Sequence, residues 1–214
     1  KRLNLVGEVD EARGIPGGDF KTVTGGDLVG ARHPNHAAFT FRSEAAHIFS
    51  GNAFPEAKDR DEAFYGRWLL IEFRHTVAGR EDPGLPRRLV AECLPSILAW
   101  ALKGAERLAA RGRFAPGPTH ERLLTRWRVE HSSVLTFLLD PEAVTLQRKA
   151  EVARRIVYEA FRTWCRDNER RPLGSHTFYQ ELRRSGGRYG VVEARDKRGW
   201  FVRGVEVKRP GALI

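Results

Sequence analysis

The stretch that most restricts the fold runs from Ala46 to Phe73. Ala46, His47, Ile48 and Phe49 form an apolar run that ends in Ser50-Gly51-Asn52, and Pro55 stops that run from continuing as a paired central strand. A short charged turn, Asp59 to Arg67, leads into a second apolar run, Leu69 to Phe73. The pattern predicts two short buried strands, with an amide at the tip of one and an arginine at the mouth of the next. Open α/β sheets bind ligands at strand ends. An Asn there can orient a water and an Arg can neutralise a phosphate. An Asn in a turn and an Arg on a surface would leave the same trace, so the choice depends on the rest of the chain.

Upstream, Leu3-Asn-Leu-Val6 reads as another short strand, and it ends at Gly7-Glu8-Val9-Asp10-Glu11. Three carboxylates just past a buried strand are costly unless they serve a cation or activate a water. A surface acidic turn is the plainer alternative. A Gly14–Gly18 loop precedes one or two helical turns, Asp19 to Val23, with Asp19 as the expected cap, and Thr24-Gly-Gly-Asp27 breaks them. Leu28–Ala31 and Phe39–Phe41 read as a hairpin whose tip, Arg32-His-Pro-Asn-His36, is basic. Such a tip can hold a nucleic-acid backbone, though most hairpin tips face water. His33 and His36 have no third ligand nearby, so zinc is not expected.

From Leu85 to Ala110 apolar residues recur at spacings of three and four, which predicts a helix, with a break or kink at Pro95 and an end at Gly112. Ala115-Pro-Gly-Pro118 reads as a linker to a second module. There Glu130–Leu139 is expected to be a short helix stopped by Asp140-Pro141. Thr145–Asn168 is expected to be one long amphipathic helix carrying Val152, Ile156, Val157, Ala160, Phe161, Trp164 and Cys165 on one face. Ser175 caps a third helix, His176–Arg184, and Gly186-Gly187 ends it. Two strands follow, Tyr189–Ala194 and Trp200–Val207, with Arg195-Asp-Lys-Arg-Gly199 turning between them. Three helices and then a hairpin with a basic tip is the winged-helix order, which would lay the third helix in the major groove. Arg183, Arg184, Arg195, Lys197 and Arg198 are the expected backbone contacts.

Charge favours that use over the protein-binding role that the same order can serve. The chain has 214 residues and a net charge of +10. Residues 1–140 hold 20 Lys and Arg against 18 Asp and Glu, a balance of +2, whereas residues 141–214 hold 17 against 9, a balance of +8. Concentrated positive charge suits phosphate, and a basic surface with no partner is the alternative. No apolar run approaches membrane-spanning length and no signal peptide opens the sequence, so a cytoplasmic protein is expected. Cys93 and Cys165 lie far apart with no Cys-x-x-Cys, which reads as buried thiols in a reducing compartment. The sequence holds no Met and opens in a strand-like run. That points to a fragment whose N-terminal part is missing, a processed chain being the alternative.

The acidic strand end, Asn52 and Arg67 together supply much of an NTPase centre. Phosphoryl transfer needs a metal, a water-orienting group and a cation against the developing charge, often from a neighbouring subunit. The phosphate cradle is missing: no Gly-x-x-x-x-Gly-Lys-Ser/Thr occurs, and Gly17-Gly18-Asp19-Phe20-Lys21-Thr22 has the wrong spacing and no glycine before the lysine.

At this point the sequence resembles a family. Arg2–Glu8, Phe20–Asp27, Ala31-Arg32, Phe39–Phe41, His47–Pro55, Asp61–Ala63 and Arg67–Phe73 look like the C-terminal part of the superfamily 3 helicases of phage and plasmid primase-helicases, the group that includes the poxvirus-type primase-helicase. Glu92, Ile97, Trp100 and Gly104 resemble that family's helical lid, and Tyr158, Trp164-Cys165, Phe178 and Leu182 its C-terminal winged helix. The resemblance implies an α/β fold in three parts. Residues 1–84 would be the C-terminal half of an AAA+-like P-loop NTPase core, residues 85–118 a helical lid and linker, and residues 119–214 an α+β winged-helix domain. It places Glu8 on the Walker B acid, which would hold Mg2+ and polarise the attacking water, with Asp10 and Glu11 as possible helpers. Asn52 falls on the sensor of the γ-phosphate, and Arg67 on the arginine finger that reaches a neighbour's ATP. Lys21 to Asp27 correspond to the motif before the DNA-binding hairpin, and Arg32, His33 and His36 sit on that hairpin. The Walker A strand and loop are expected upstream of Lys1, so this chain by itself is expected to be inactive. The function implied is that of a homo-hexameric, ATP-dependent DNA helicase of phage or plasmid replication in the bacterial cytoplasm. Its rival is a non-catalytic winged-helix DNA-binding protein with a decayed ATPase half.

Overall fold

A computed structural model describes residues 2–9, 14–56, 61–197 and 199–208. It is a mixed α/β chain with three small sheets among the described residues. Two compact units divide it: Lys1–Trp68 with Thr125–Ile214, and Leu69–Leu124.

In the first unit, β1 (Leu3–Val6) is followed by α1 (Gly17–Gly25), β2 (Leu28–Arg32), β3 (Ala38–Arg42), β4 (Ala46–Phe49) and the single turn α2 (Glu62–Tyr65). β1 and β4 pair in parallel, Leu3 opposite Ala46 and Val6 opposite Phe49. Parallel neighbours need a crossover, and the segment holding α1 and the β2–β3 hairpin supplies it. Both strands were expected to be buried, yet Leu3, Leu5 and Ile48 are exposed. α1 starts two residues before Asp19, so Asp19 lies in the first turn and makes no cap; its charge there still opposes the helix dipole. The helix ends where Gly26 adopts φ +77°, within the Thr24–Asp27 run.

The predicted strand from Leu69 to Phe73 does not form. Leu69, Ile71 and Phe73 are exposed, the last by 92%. No described strand lies beside the run, and the Leu70 amide instead donates to the His120 ring nitrogen Nδ1 at 3.0 Å. Arg67 consequently follows the α2 turn, at no strand mouth.

The second unit holds α3 (Leu85–Arg88), a π-helical turn at Leu89–Cys93, α4 (Leu94–Arg111) and the start of α5 (Pro118–Glu130). The irregularity expected at Pro95 is present as that π-turn, which lies just before the proline. Gly112, at φ +67°, caps α4 through a hydrogen bond to the Leu108 carbonyl. α4 keeps its apolar period, but none of its side chains is buried.

The C-terminal module returns to the first unit: α6 (Ser133–Leu139), β5 (Val144–Ala153), α7 (Arg154–Asp167), α8 (Ser175–Ser185), β6 (Val192–Asp196) and β7 (Gly199–Val207). The strands form one antiparallel sheet in the order β5-β7-β6. The expected long helix over Thr145–Asn168 is therefore a strand and a shorter helix. Val144, Thr145 and Leu146 pair with Val207, Glu206 and Val205, and this pairing outweighs local helical spacing. Within α7 the period survives: Val157, Phe161, Trp164 and Cys165 are buried, while Ile156 is exposed. Phe137, Leu138, Phe178, Leu182, Val202 and Val205 complete the same core. α6 begins at Ser133, not Glu130, and the hydroxyl of its N-cap, Ser132, accepts from the Leu135 amide at 3.0 Å. Ser175 is the first residue of α8 and makes no cap; Gly174 holds the cap position. Asp140 ends α6 and accepts from the Trp164 indole at 2.6 Å, a bond that holds its carboxyl below the usual range.

Candidate nucleotide and nucleic-acid sites

The parallel pair brings Glu8 and Asn52 to one edge. The Ser50 amide donates to the Val6 carbonyl at 3.0 Å and the Val9 amide to the Ser50 carbonyl at 2.9 Å, so the ends of β1 and β4 run side by side past the strands. Glu8 sits in that turn with φ +47°, a conformation few non-glycine residues adopt. Asn52 lies two residues beyond Ser50. Both are exposed. One exposed carboxylate and one exposed amide thus follow the ends of the two parallel strands. Among the described residues no three His, Cys, Asp or Glu side chains cluster as metal ligands. Asp10 and Glu11 lie outside the described residues.

Arg67 is not gathered with that pair. Its guanidinium turns back to the Ala63 carbonyl, against Gly25 of the Thr24–Asp27 run. Lys21 forms an ion pair with Asp61 at 2.9 Å. That bond is the largest cause holding the Asp61 carboxyl below its ordinary value, and Arg184 adds to it. The hairpin does form, with Leu28 opposite Arg42 and Arg32 opposite Ala38. At its tip the Arg32 Nε donates to the His36 carbonyl at 3.1 Å, and the His33 ring stacks on Phe39 with centroids 5.3 Å apart. Phe39 and Phe41 are exposed along the same strand, 6.0 Å apart.

The basic residues of the C-terminal module fall into two groups. Arg183 is held: its Nη1 lies 2.6 Å from Glu193, a carboxylate whose side chain is 1% exposed. Arg154, at the start of α7, lies 2.8 Å from the other Glu193 oxygen and 3.8 Å above the Tyr179 ring. Burial beneath it pushes the Tyr179 phenol up to about 12. Arg184, Arg195 and Lys197 are exposed. Arg195 stands opposite Trp200, with its guanidinium 5.6 Å from that ring. Arg198 lies outside the described residues.

Sequence reasoning missed Glu193, Arg154 and Trp200 as one cluster, and it put Arg148 and Lys149 on a helix. Those two are exposed where the pairing of β5 slips between Gln147 and Glu151. The signal that could have found β5 was the β-branched start at Val144-Thr145 and the complementary run at Val205–Val207. The cluster itself joins residues from α7, α8, β6 and β7 and left no local signal.

The described residues thus define a mixed α/β chain ending in a basic module of three helices and a three-stranded sheet. Residues 134–208 of that module match the family described as Poxvirus D5 protein-like, about a third of the chain. No curated protein matches the sequence.

Proposed function

We propose that this chain belongs to a DNA-replication helicase related to poxvirus-type primase-helicases. In this reading residues 134–208 form a winged-helix DNA-binding module, and the β1–β4 edge forms part of an AAA+-type ATPase centre working in a hexameric ring. The observation that carries it is the order α6-β5-α7-α8-β6-β7 with sheet order β5-β7-β6, inside the segment that matches the poxvirus family. Winged helices follow the same order, which supports the reading, as does the excess of positive charge in residues 141–214. α8 would enter the major groove, with Arg184, Arg195 and Lys197 on phosphates. Arg183 is assigned a smaller share, because Glu193 already holds it.

The test is fluorescence anisotropy with a labelled duplex across a salt series. Arg184→Ala is expected to weaken binding about three- to tenfold and to flatten the log–log salt slope by about one. Arg183→Ala should change the slope less. Equal binding and slopes for wild type and Arg184→Ala would remove the assignment. For the ATPase half, Glu8 would polarise the water on the subunit's own nucleotide, Asn52 would sense its γ-phosphate and Arg67 would serve the neighbour's. In a protein that carries these residues together with a phosphate-binding loop, Glu8→Gln and Arg67→Ala should each lower ATP turnover about a hundredfold or more. Unchanged turnover in both would overturn these roles.

A further inference from the structure

We infer that the start of β7, beside the end of β5, holds one unpaired nucleobase of a DNA strand, stacked on Trp200. The inference rests on the DNA-binding reading above and adds a single-strand contact to it. Three observations converge there.

The first is a cleft of about 210 Å³ between the end of β5 (Glu151, Val152, Ala153) and the start of β7 (Gly199, Trp200, Phe201), with Asp196 at its edge. That volume lies below the 300–1,000 Å³ of sites for drug-sized molecules, and suits one planar ring system better than a base pair. The second is Trp200 itself, a large aromatic left 46% exposed on a strand whose Val202 and Val205 are fully buried. Exposed aromatics beside basic groups are the platforms on which unpaired bases stack.

The third is how charge is divided around the ring. Arg154 and Arg195 each bring a guanidinium to 5.5–5.6 Å from the Trp200 ring. Arg154 lies against Glu193 and the Tyr179 ring, and Arg183 is paired with the same carboxylate. Arg154 and Arg183 around one buried carboxylate, with Arg195 against the Trp200 ring, leave a positive patch beside the cleft. Among the described residues the charged groups lining the cleft are the carboxylates of Glu151, which accepts from Arg203, and Asp196. Carboxylates repel phosphate and accept from the amino groups of bases. The backbone of a strand is therefore drawn to the arginines while its base enters the cleft. Glu193 acts as a positioning residue for the two arginines.

The experiment is intrinsic tryptophan fluorescence of the full chain, titrated with single-stranded oligo-dC, with blunt duplex and with free dCMP, in wild type and in Trp200→Phe and Trp200→Leu. Trp200→Phe keeps an aromatic face on an exposed strand position and serves as the folded reference. Single strand should quench wild type, and that part of the quench should vanish in Trp200→Phe, which still binds within about threefold. Trp200→Leu should weaken single-strand binding about tenfold or more, with duplex binding within twofold. Equal quenching of wild type and Trp200→Phe overturns the site. So does equal quenching by blunt duplex, which needs no unpaired base. Saturation by dCMP at the concentration that suffices for the strand would make this a free-nucleotide site and overturn the strand assignment. Failure of the parent reading looks different, because it removes duplex binding and its dependence on Arg184 while leaving the Trp200 signal to be judged alone.

Discussion

At the scale of single residues, the tightest constraint is where β7 passes the turn before β6. Gly204 has φ +93°, and a Cβ built there would lie 2.0 Å from the Gly190 carbonyl oxygen. Two effects add at this position: a side chain is strained at that φ whatever its space, and the atom it meets is backbone with no rotamer to yield. Gly190 has φ +75°, but a Cβ there meets nothing within 4 Å. Gly190→Ala should therefore cost about 1–2 kcal/mol from conformation alone. Gly204→Ala should cost about 2–4 kcal/mol, because the clash is added to the strain. Urea unfolding followed by circular dichroism separates the two. If the two substitutions cost the same, the close approach of β7 to Gly190 is not what requires glycine.

At the scale of elements, local signals read well where the chain's own chemistry ends a segment. Gly26 and Gly112 stop α1 and α4 in the left-handed conformation, Asp140-Pro141 stops α6, and Gly186 follows α8. The β2–β3 hairpin and the β6–β7 turn were legible from their flanking strands. What could not be read was decided by a distant partner. Residues 145–153 carry a usable helical spacing, yet β7 captures them as β5, so a single helix became a strand and a helix. Leu69–Phe73 carries a usable strand pattern, yet no strand among the described residues pairs with it. α5 carried no local signal beyond the linker that ends at Pro118, and the residue that anchors it, Trp127, finds its partners far away in sequence. The same rule holds at the candidate sites. Glu8 and Asn52 could be placed together because both follow apolar runs at strand ends. The commitment of Arg183 to Glu193 and of Lys21 to Asp61 depends on tertiary pairing, which spacing does not record.

At the scale of the whole molecule, the first unit is one body although its two segments are separated by residues 69–124. The join is made by α5 and α2. Trp127 is fully buried with Phe54, Phe64, Tyr65 and Trp68 around it at 5.1–5.7 Å, and its indole donates to the Pro55 carbonyl at 3.2 Å. Beside it, Glu62 binds Arg128 at 2.8 Å and Arg188, in the turn after α8, at 3.1 Å. The two pairs look alike in distance but differ in burial. The Arg128 side chain is 8% exposed and stacks 4.9 Å from Tyr65, whereas Arg188 is 47% exposed. An exposed pair exchanges water for a partner at little net gain. A buried guanidinium that loses its carboxylate keeps its desolvation cost. Glu62 is itself 63% exposed, which reduces what water cannot replace. In double-mutant cycles read by urea unfolding, we expect a coupling of about 1–2 kcal/mol between Glu62→Gln and Arg128→Met. Between Glu62→Gln and Arg188→Ala it should stay below about 0.5 kcal/mol. Arg128→Met, which fills the same space without a charge, should also recover most of the stability lost in Glu62→Gln. Equal couplings for both arginines would mean that burial of Arg128 does not decide the energetics. The join between the two segments would then rest on the Trp127 aromatic cluster alone.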